Sequence, residues 1–492
     1  MAADTRAIAG ALAEASEHWC WFDGERPAPG EPRVSVLGVA SEVRECWPGQ
    51  ERAFLDGLSG ELARCETPAW TRGRGRLASG WVVALAYEFG VALMASGREP
   101  DQTPETQQGD ACSTGIALRL DCVIAVDHDA GTVELRGDSD AAIDSWCRRH
   151  SVVLERLGMR GGMGGAGAMS VGRSGAEPGA ATGPESGPEF GPEFGPELGP
   201  DSSAARASLH EPTGGLAWRS TDDDYLARID ACLRAIRDGD AYVLCLTDTL
   251  EGTARGGREP LDVFDRLRAA GPAIRGGVIV AGDRALVSAS PERFLSVSGR
   301  EIRTDPIKGT RPRDPDPVRD DALAAELASD PKEAAENLMI VDLMRNDLGR
   351  VCAPGSVRVE GFLRVESHPH VHQLVSTIAG RLAGENTVLD ALTTCFPGGS
   401  MTGAPKRRAV EILAGLEDGP RGLYSGCFGW IDDSGDAELA MTIRSVELRG
   451  ERILIGAGGG ITADSAPLRE LDEKHLKARS LVAALRGDSA AE

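Results

Sequence analysis

Glu451–Leu481, ERILIGAGGGITADSAPLRELDEKHLKARSL, reads as a strand, a glycine-rich turn and a helix. Gly456, Gly458, Gly459 and Gly460 let backbone N–H groups approach an anion with no side chain in the way. The helix, with Ser465 expected as its N-cap and Pro467 in its first turn, directs its positive end toward the same place. Ile461 fills the third glycine position of a GxGxxG pattern, so this is not a dinucleotide-binding fingerprint. Glu470, Glu473 and Lys477 stand at i, i+3 and i+7 and share one helix face. Taken alone, that face is also what a solvated surface with a Glu473–Lys477 pair looks like.

A second acidic pair lies upstream in DPKEAAENLMIVDLMRND (Asp330–Asp347). Glu333 and Glu336 are again i, i+3, on a helix whose other face carries Leu338, Ile340, Val341 and Leu343. Two helices offering two glutamates each make an all-oxygen site for a hard cation, with Mg²⁺ preferred because it takes few carboxylates and keeps water and substrate as ligands. Between the pairs stand DPIKGTRPRD (Asp305–Asp314), FPGGSMTGAPKRRAVEIL (Phe396–Leu413), YSGCFGWI (Tyr424–Ile431) and LAMTIRS (Leu439–Ser445). Arg444, inside an apolar strand expected over Glu438–Leu448, needs an anionic partner if buried. His368, His370 and His372 alternate like a zinc site, but Pro369 disfavours a central strand and no fourth ligand offers itself.

Further outward, strands are expected at Arg33–Ala40, Trp81–Leu93, Ala241–Leu246, Gly277–Val280, Ala285–Ser288, Phe294–Val297 and Ser425–Trp430. Ile116–Val126 with Thr132–Leu135 reads as a hairpin. Helices are expected at Asp222–Arg237, Asp320–Ala328, Lys332–Asn346, Thr387–Cys395, Pro405–Leu416 and Pro467–Leu485. The order is not a strict βαβ alternation, so the fold class is α+β (mixed α/β), with large, mostly antiparallel sheets packed by helices.

With 492 residues the chain has room for two or three domains or one large two-layer enzyme. Lys and Arg number 53 against 76 Asp and Glu, a formal charge of −23, which argues against a polyanion-binding face. No window reaches the ~18 apolar residues of a membrane span. The amino terminus lacks the pattern of a secretory signal. An odd count of 11 cysteines without a CxxC pair fits reduced thiols, and a cytoplasmic enzyme is expected. From Gly161 to Pro200, 13 Gly and 6 Pro fill the sequence, including the repeat GPES-GPEF-GPEF-GPEL-GPDS (Gly183–Ser202). Such a stretch reads as a linker or insertion too poor in apolar residues to order itself. It separates segments 1–150 and 216–487 by an insertion at 151–215.

These motifs, in this order, resemble the chorismate-utilising enzymes, the family of anthranilate, aminodeoxychorismate, isochorismate and salicylate synthase large chains. The resemblance is strong over 216–487 and weaker before the insertion, in HWCWFDG (His18–Gly24) and SGWVVALAYEFG (Ser79–Gly90). It implies an anthranilate synthase component I-like region over 1–150 and a chorismate-binding catalytic domain over 216–487. By the same resemblance, Glu336 and Glu473 hold Mg²⁺ against the ring carboxylate of chorismate, and Glu333 and Glu470 support it directly or through water. Lys477, Thr310 and the amides of Gly458 and Gly460 bind substrate, while Arg444 and Tyr424 take the enolpyruvyl carboxylate.

The motif PIKGT, with Lys308, is the form found in aminodeoxychorismate synthases, where anthranilate synthases typically carry PIAGT. The family mechanism makes this lysine the nucleophile at ring C2, with Glu292 of SASPERFL as the acid that protonates the departing C4 hydroxyl. A nucleophilic lysine is neutral, so the site is expected to lower its pKa by desolvation or by cations such as Mg²⁺ or Arg311. Val243 stands where isochorismate-forming members have a catalytic lysine, which argues against water activation. Gln373 stands where anthranilate and salicylate synthases usually have His. The chain carries no Gly-x-Cys-x-Gly glutaminase elbow, so the resemblance implies a separate glutamine amidotransferase subunit supplying ammonia, for 4-aminobenzoate and folate biosynthesis. The alternatives are anthranilate synthase component I and a catalytically dead homologue that only binds.

Overall fold

The computed structural model describes residues 4–28, 30–62, 77–95, 112–157, 168–170, 215–253, 258–271, 273–368 and 371–486. Most of the Gly161–Pro200 segment, including its GPEx repeat, and His370 lie outside the described residues.

Among the described residues, two antiparallel sheets, of twelve and ten strands, organise the fold. Cys20, Ile279 and Leu286 of the first pack with Val82, Leu118 and Phe428 of the second in one buried cluster, so the sheets lie face to face. Their outer faces are covered by helices. Leu12, Phe264 and Leu481 close the twelve-stranded sheet, and Leu55, Phe89, Ile340 and Leu392 close the ten-stranded one. The layering is helix, sheet, sheet, helix. Strands covered on both faces carry continuous apolar runs rather than alternation, and Gly80–Leu85 is buried at every position. No helix among the described residues is long and apolar enough to cross a membrane.

Both sheets draw strands from either side of the insertion. His18–Asp23 pairs with Arg275–Ala281, and Gly80–Leu85 pairs with Cys427–Asp432. The two stretches joined by the insertion therefore build common sheets.

Several expected elements take a different form. Trp81–Leu93 is not one β-rich run: it is the strand Gly80–Leu85 followed by the helix Tyr87–Ala95. Ile116–Val126 breaks at Asp121. Gly115–Leu120 belongs to the ten-stranded sheet and Cys122–Asp127 to the twelve-stranded one, where it forms the hairpin with Thr132–Gly137. The strand expected over Glu438–Leu448 splits into Ala437–Met441 and Ser445–Arg449, again one in each sheet. Arg444 lies in the break with φ of 51°. In the last two cases a mostly apolar run conceals a crossing between sheets, because both ends are buried.

The largest change concerns the glycines. Arg452–Ile461 is a single strand paired along its whole length with Val243–Thr253, so the expected glycine-rich turn is extended backbone. A turn would break that ladder, in which the partner strand takes up the backbone groups of every second residue.

Candidate active site

On its other edge the glycine strand pairs only through Arg452–Leu454, with Glu447–Arg449. Beyond that point, among the described pairings, alternate residues turn their N–H and C=O away from the ladder. Lys477 Nζ donates to the Gly458 carbonyl at 2.8 Å, which marks the outward parity, and Gly460 shares it. The two amides singled out from the sequence thus face outward from extended backbone.

The glycines of this strand lie against the side chains of the site, most tightly at Gly456 and Gly459. A methyl group on Gly456 would lie 2.0 Å from the ring of Tyr424. One on Gly460 would lie 3.6 Å from Lys308 Nζ, 3.7 Å from Glu336 Oε2 and 3.4 Å from Val243 Cγ2. One on Gly459 would lie 3.1 Å from Glu470 Oε2 and 3.8 Å from Glu473 Oε1. Lys308, Tyr424 and all three of these glutamates therefore close on bare backbone.

Each acid is placed by local chemistry. Asp330 caps the helix Pro331–Gly349, accepting from the Lys332 and Glu333 N–H groups at 2.9 and 3.2 Å. Buried Asn337 accepts from Ser376 Oγ at 2.6 Å and pins that helix to the strand Val371–Arg381, beside Glu336. Gly309, with φ of 79°, leaves room for Glu333, whose Cδ would be 3.0 Å from a methyl there. Ser465 does not cap the helix Pro467–Arg486 as expected. Its hydroxyl donates to Glu470 at 2.7 Å and accepts from the Thr462 N–H, so it orients the acid.

The two glutamate pairs meet through Lys332, whose ammonium lies 3.7 Å from Glu336 and 3.5 Å from Glu470. Among the described residues, no three acidic or histidine side chains already surround one point. The half-exposed ammonium stands between the pairs as a cation of the protein's own. Burial, and then the Glu336 charge, raise the pKa of Glu333; burial and Glu473 do the same for Glu470. Burial would also raise Glu473, but Lys477 at 2.6 Å outweighs it and that carboxyl lies below its ordinary range. Two helical pairs of carboxylates fit a hard divalent cation in charge and donor type.

Glu292 lies where the chain crosses from the twelve-stranded sheet to the ten-stranded one, after Ser290 and before Arg293. It is 6% exposed and accepts from Ser400 Oγ at 2.6 Å. Burial pushes its pKa up to about 7, against the smaller downward pulls of the Ser400 hydrogen bond and the Lys308 charge. Glu292 pairs with neither nearby arginine. Arg293 is held by Asp305, Glu31 and Glu438, and Arg311 by Glu326 and Asp330.

Lys308 is half-buried on the strand Ile307–Pro312. The expectation of a lowered pKa is not met in this state. Burial pulls it down, but Glu336, Cys245, Glu292 and Glu473 together hold it above the ordinary lysine value. Arg311 offers little opposition because its charge is spent on Glu326, Asp330 and, at 3.8 Å, Glu333.

Arg444 donates one N–H to the Lys477 carbonyl at 3.2 Å and meets no carboxylate within 4.0 Å among the described residues. Burial lowers its pKa, as for a guanidinium short of an anionic neighbour. Tyr424 is buried, and its hydroxyl has no hydrogen bond among the described residues. Arg444 and Tyr424 are thus a cation and a hydroxyl free for a ligand anion. Thr310 is exposed on its strand, opposite buried Gln373, whose side-chain oxygen has no hydrogen-bond partner among the described residues. His372 is tied between Asp320 at 2.9 Å and Ser367 at 2.8 Å.

Sequence reading did not assign Ser400 or Lys332 a part in the site. The motifs GGSMTG and DPKE contain them, but their contacts to Glu292 and Glu470 join distant segments. A separate cavity of about 230 Å³, walled by Phe22, Phe428 and Trp430 and rimmed by Glu31, Arg275 and Arg293, is lined by none of the residues singled out for chemistry.

An aminodeoxychorismate synthase of Streptomyces griseus is 34% identical over 96% of this chain and 61% of its own length. Anthranilate synthase component 1 of Streptomyces coelicolor is 41% identical over 58% of this chain and 56% of its own. The chain thus spans less than two thirds of either relative. Among solved structures, anthranilate synthase component I from Streptococcus pneumoniae shares the fold with a TM-score of 0.69 at 25% identity, with 92% of each chain covered. Residues 51–483, from the first helix after the opening strands through the Glu470–Lys477 face, match the chorismate binding enzyme family, and the chain belongs to it.

Proposed function

We propose that the protein is an aminodeoxychorismate synthase component I, converting chorismate and ammonia to 4-amino-4-deoxychorismate. The observation that carries this reading is Lys308, an amine set over the glycine strand beside Glu336, where a smaller side chain would leave no nucleophile. In the proposed reaction the Lys308 amine adds to ring C2, the conjugated double bonds shift, and the C4–O bond breaks. Glu292 supplies the proton, so that water leaves rather than hydroxide. Ammonia then forms the C4–N bond, the double bonds shift back, and the C2–N bond to Lys308 breaks.

Lys308 must first shed a proton, and its half-buried position gives water access to it. Arg444 and Tyr424 hold the enolpyruvyl carboxylate, and Lys477 with the Gly458 and Gly460 amides holds the ring carboxylate. Glu336 and Glu473, with Glu333 and Glu470 behind them, are the residues that would hold Mg²⁺. Bound there, the ion would take the ring carboxylate and offset part of the negative charge that raises the proton affinity of Lys308. Ammonia comes from a separate glutamine amidotransferase subunit, free ammonium being a weaker substitute, and the product serves 4-aminobenzoate formation in the cytoplasm.

The direct test is to incubate the protein with chorismate, Mg²⁺ and ammonium. Formation of 4-aminobenzoate only after a lyase is added supports the reading. Direct release of fluorescent anthranilate assigns the chain to the other branch, and no turnover at saturating ammonium identifies a binding homologue.

Glu292 acts as an acid only while protonated, and its protonated fraction falls as pH rises through about 7. The kcat/KM should therefore decline above that pH. Glu292→Gln should lose roughly 10²–10⁴-fold in activity and abolish that alkaline limb. A variant that keeps the wild-type pH profile removes Glu292 from the role.

A further inference from the structure

The segment Ser79–Gly90 supplies no group to the proposed chemistry, yet it grips the turn that carries Tyr424. Glu88, in the first turn of the helix Tyr87–Ala95, accepts from the N–H groups of Arg421 at 2.7 Å and Gly422 at 3.1 Å. The Tyr87 N–H donates to the Gly422 carbonyl at 2.9 Å. The Arg421 guanidinium lies 4.1 Å from the centre of the Tyr87 ring. One carboxylate accepting from two consecutive backbone amides is a charge-assisted clamp on that turn.

The turn needs such a restraint. Gly422 has φ of 69° and Ser425 has φ of 63°, the latter a costly conformation for a residue with a side chain. Tyr424 lies between them, with its ring against Gly456. Arg421, 3% exposed, carries the restraint further. It donates to the carbonyls of Met401 at 2.7 Å and Cys245 at 2.9 Å, to Ser425 Oγ at 3.3 Å, and to Glu417 at 2.7 and 2.8 Å. Met401 follows Ser400, the hydroxyl on Glu292. Cys245 lies on the strand that pairs with the glycines. One helix from the region before the insertion is thus tied through a single turn to both walls of the site.

We infer that Glu88 is a positioning residue for substrate: by clamping the Arg421–Gly422 amides it holds Tyr424 where the enolpyruvyl carboxylate binds. This rests on the chorismate reading above, and the test separates the two. In the full chain, Glu88→Gln keeps the shape of the side chain and one accepting oxygen, but places an NH₂ group against the other N–H donor. It should raise the KM for chorismate about 10-fold or more and leave kcat within about 3-fold, the signature of lost uniform binding. In a Tyr424→Ala background the same change should raise KM by less than about 2-fold, because the residue it positions is already gone.

A purely structural Glu88 would lower Tm without this split. A KM within about 2-fold of wild type for Glu88→Gln, or effects that multiply in the double variant, would overturn the inference. Glu88→Asp, which withdraws the charge by one methylene, carries the same cycle if Glu88→Gln is not recovered folded. Absence of chorismate turnover by the wild-type chain refutes the function reading instead, whatever Glu88 does.

Discussion

Replacing Lys308 with alanine should reduce amination at C4 by roughly 10³-fold or more while chorismate still binds. The proposed binding groups are separate from the proposed nucleophile: Arg444, Tyr424, Lys477 and the outward glycine amides should keep their positions when the Lys308 amine is removed. Removing one cation from beside Glu336 and Glu473 also leaves the proposed metal site with greater negative charge, so metal affinity should not fall. Lys308→Arg should not rescue activity, since a guanidinium stays charged and is no nucleophile. Steady-state rates with ammonium, alongside chorismate binding by calorimetry, make the comparison. Wild-type turnover in Lys308→Ala would end the covalent account.

The second large effect is expected at Glu336. It is 8% exposed, stands over Gly460 beside Lys308, and shares the Lys332 ammonium with Glu470. Glu336→Gln keeps the volume and removes one charge from the cluster, so the Mg²⁺ concentration for half-maximal activity should rise by about 10-fold or more. Thermal unfolding supplies a readout independent of turnover. In the wild type, Mg²⁺ should raise Tm, because a ligand that binds only the folded state stabilises it. In Glu336→Gln that rise should shrink, while the metal-free variant unfolds no lower than the metal-free wild type, because like charges around Glu333 and Glu470 are relieved. Identical metal titrations in the two proteins would show that the cation, if any, binds elsewhere. Glu473→Gln should behave similarly for the metal, but it also strips Lys477 of its carboxylate partner and is the less clean variant.

Much of this site is legible from local pattern. The i, i+3 spacing of Glu333 with Glu336 and of Glu470 with Glu473 is a helix property, and the helices form as Pro331–Gly349 and Pro467–Arg486. Lys308 and Arg444 stand out by residue type within short motifs, whereas Glu292 and Tyr424 are reached only through the family resemblance. Local pattern fails where a continuous apolar run changes sheets, as at Asp121 and at Thr442–Arg444, because a residue covered on both faces carries no mark of which sheet it joins. It fails again at the glycines. Freedom from side chains suggests a turn, whereas here it serves close approach to an extended strand.

Residue order alone sets which groups are available: four glutamates in two helical pairs, a run of bare backbone, one lysine and one acid in spaced motifs. These are short-range facts, set by periodicity and composition. Long-range packing set the glycines in a strand, since their ladder partner Val243–Thr253 is remote in the chain. It also placed Lys332 between the acid pairs, Ser400 on Glu292, and Glu88 under the turn of Tyr424. The proton affinities of Glu292 and Lys308 belong to the same class. They follow from burial and from charges on other elements, and both arise only when distant segments pack together.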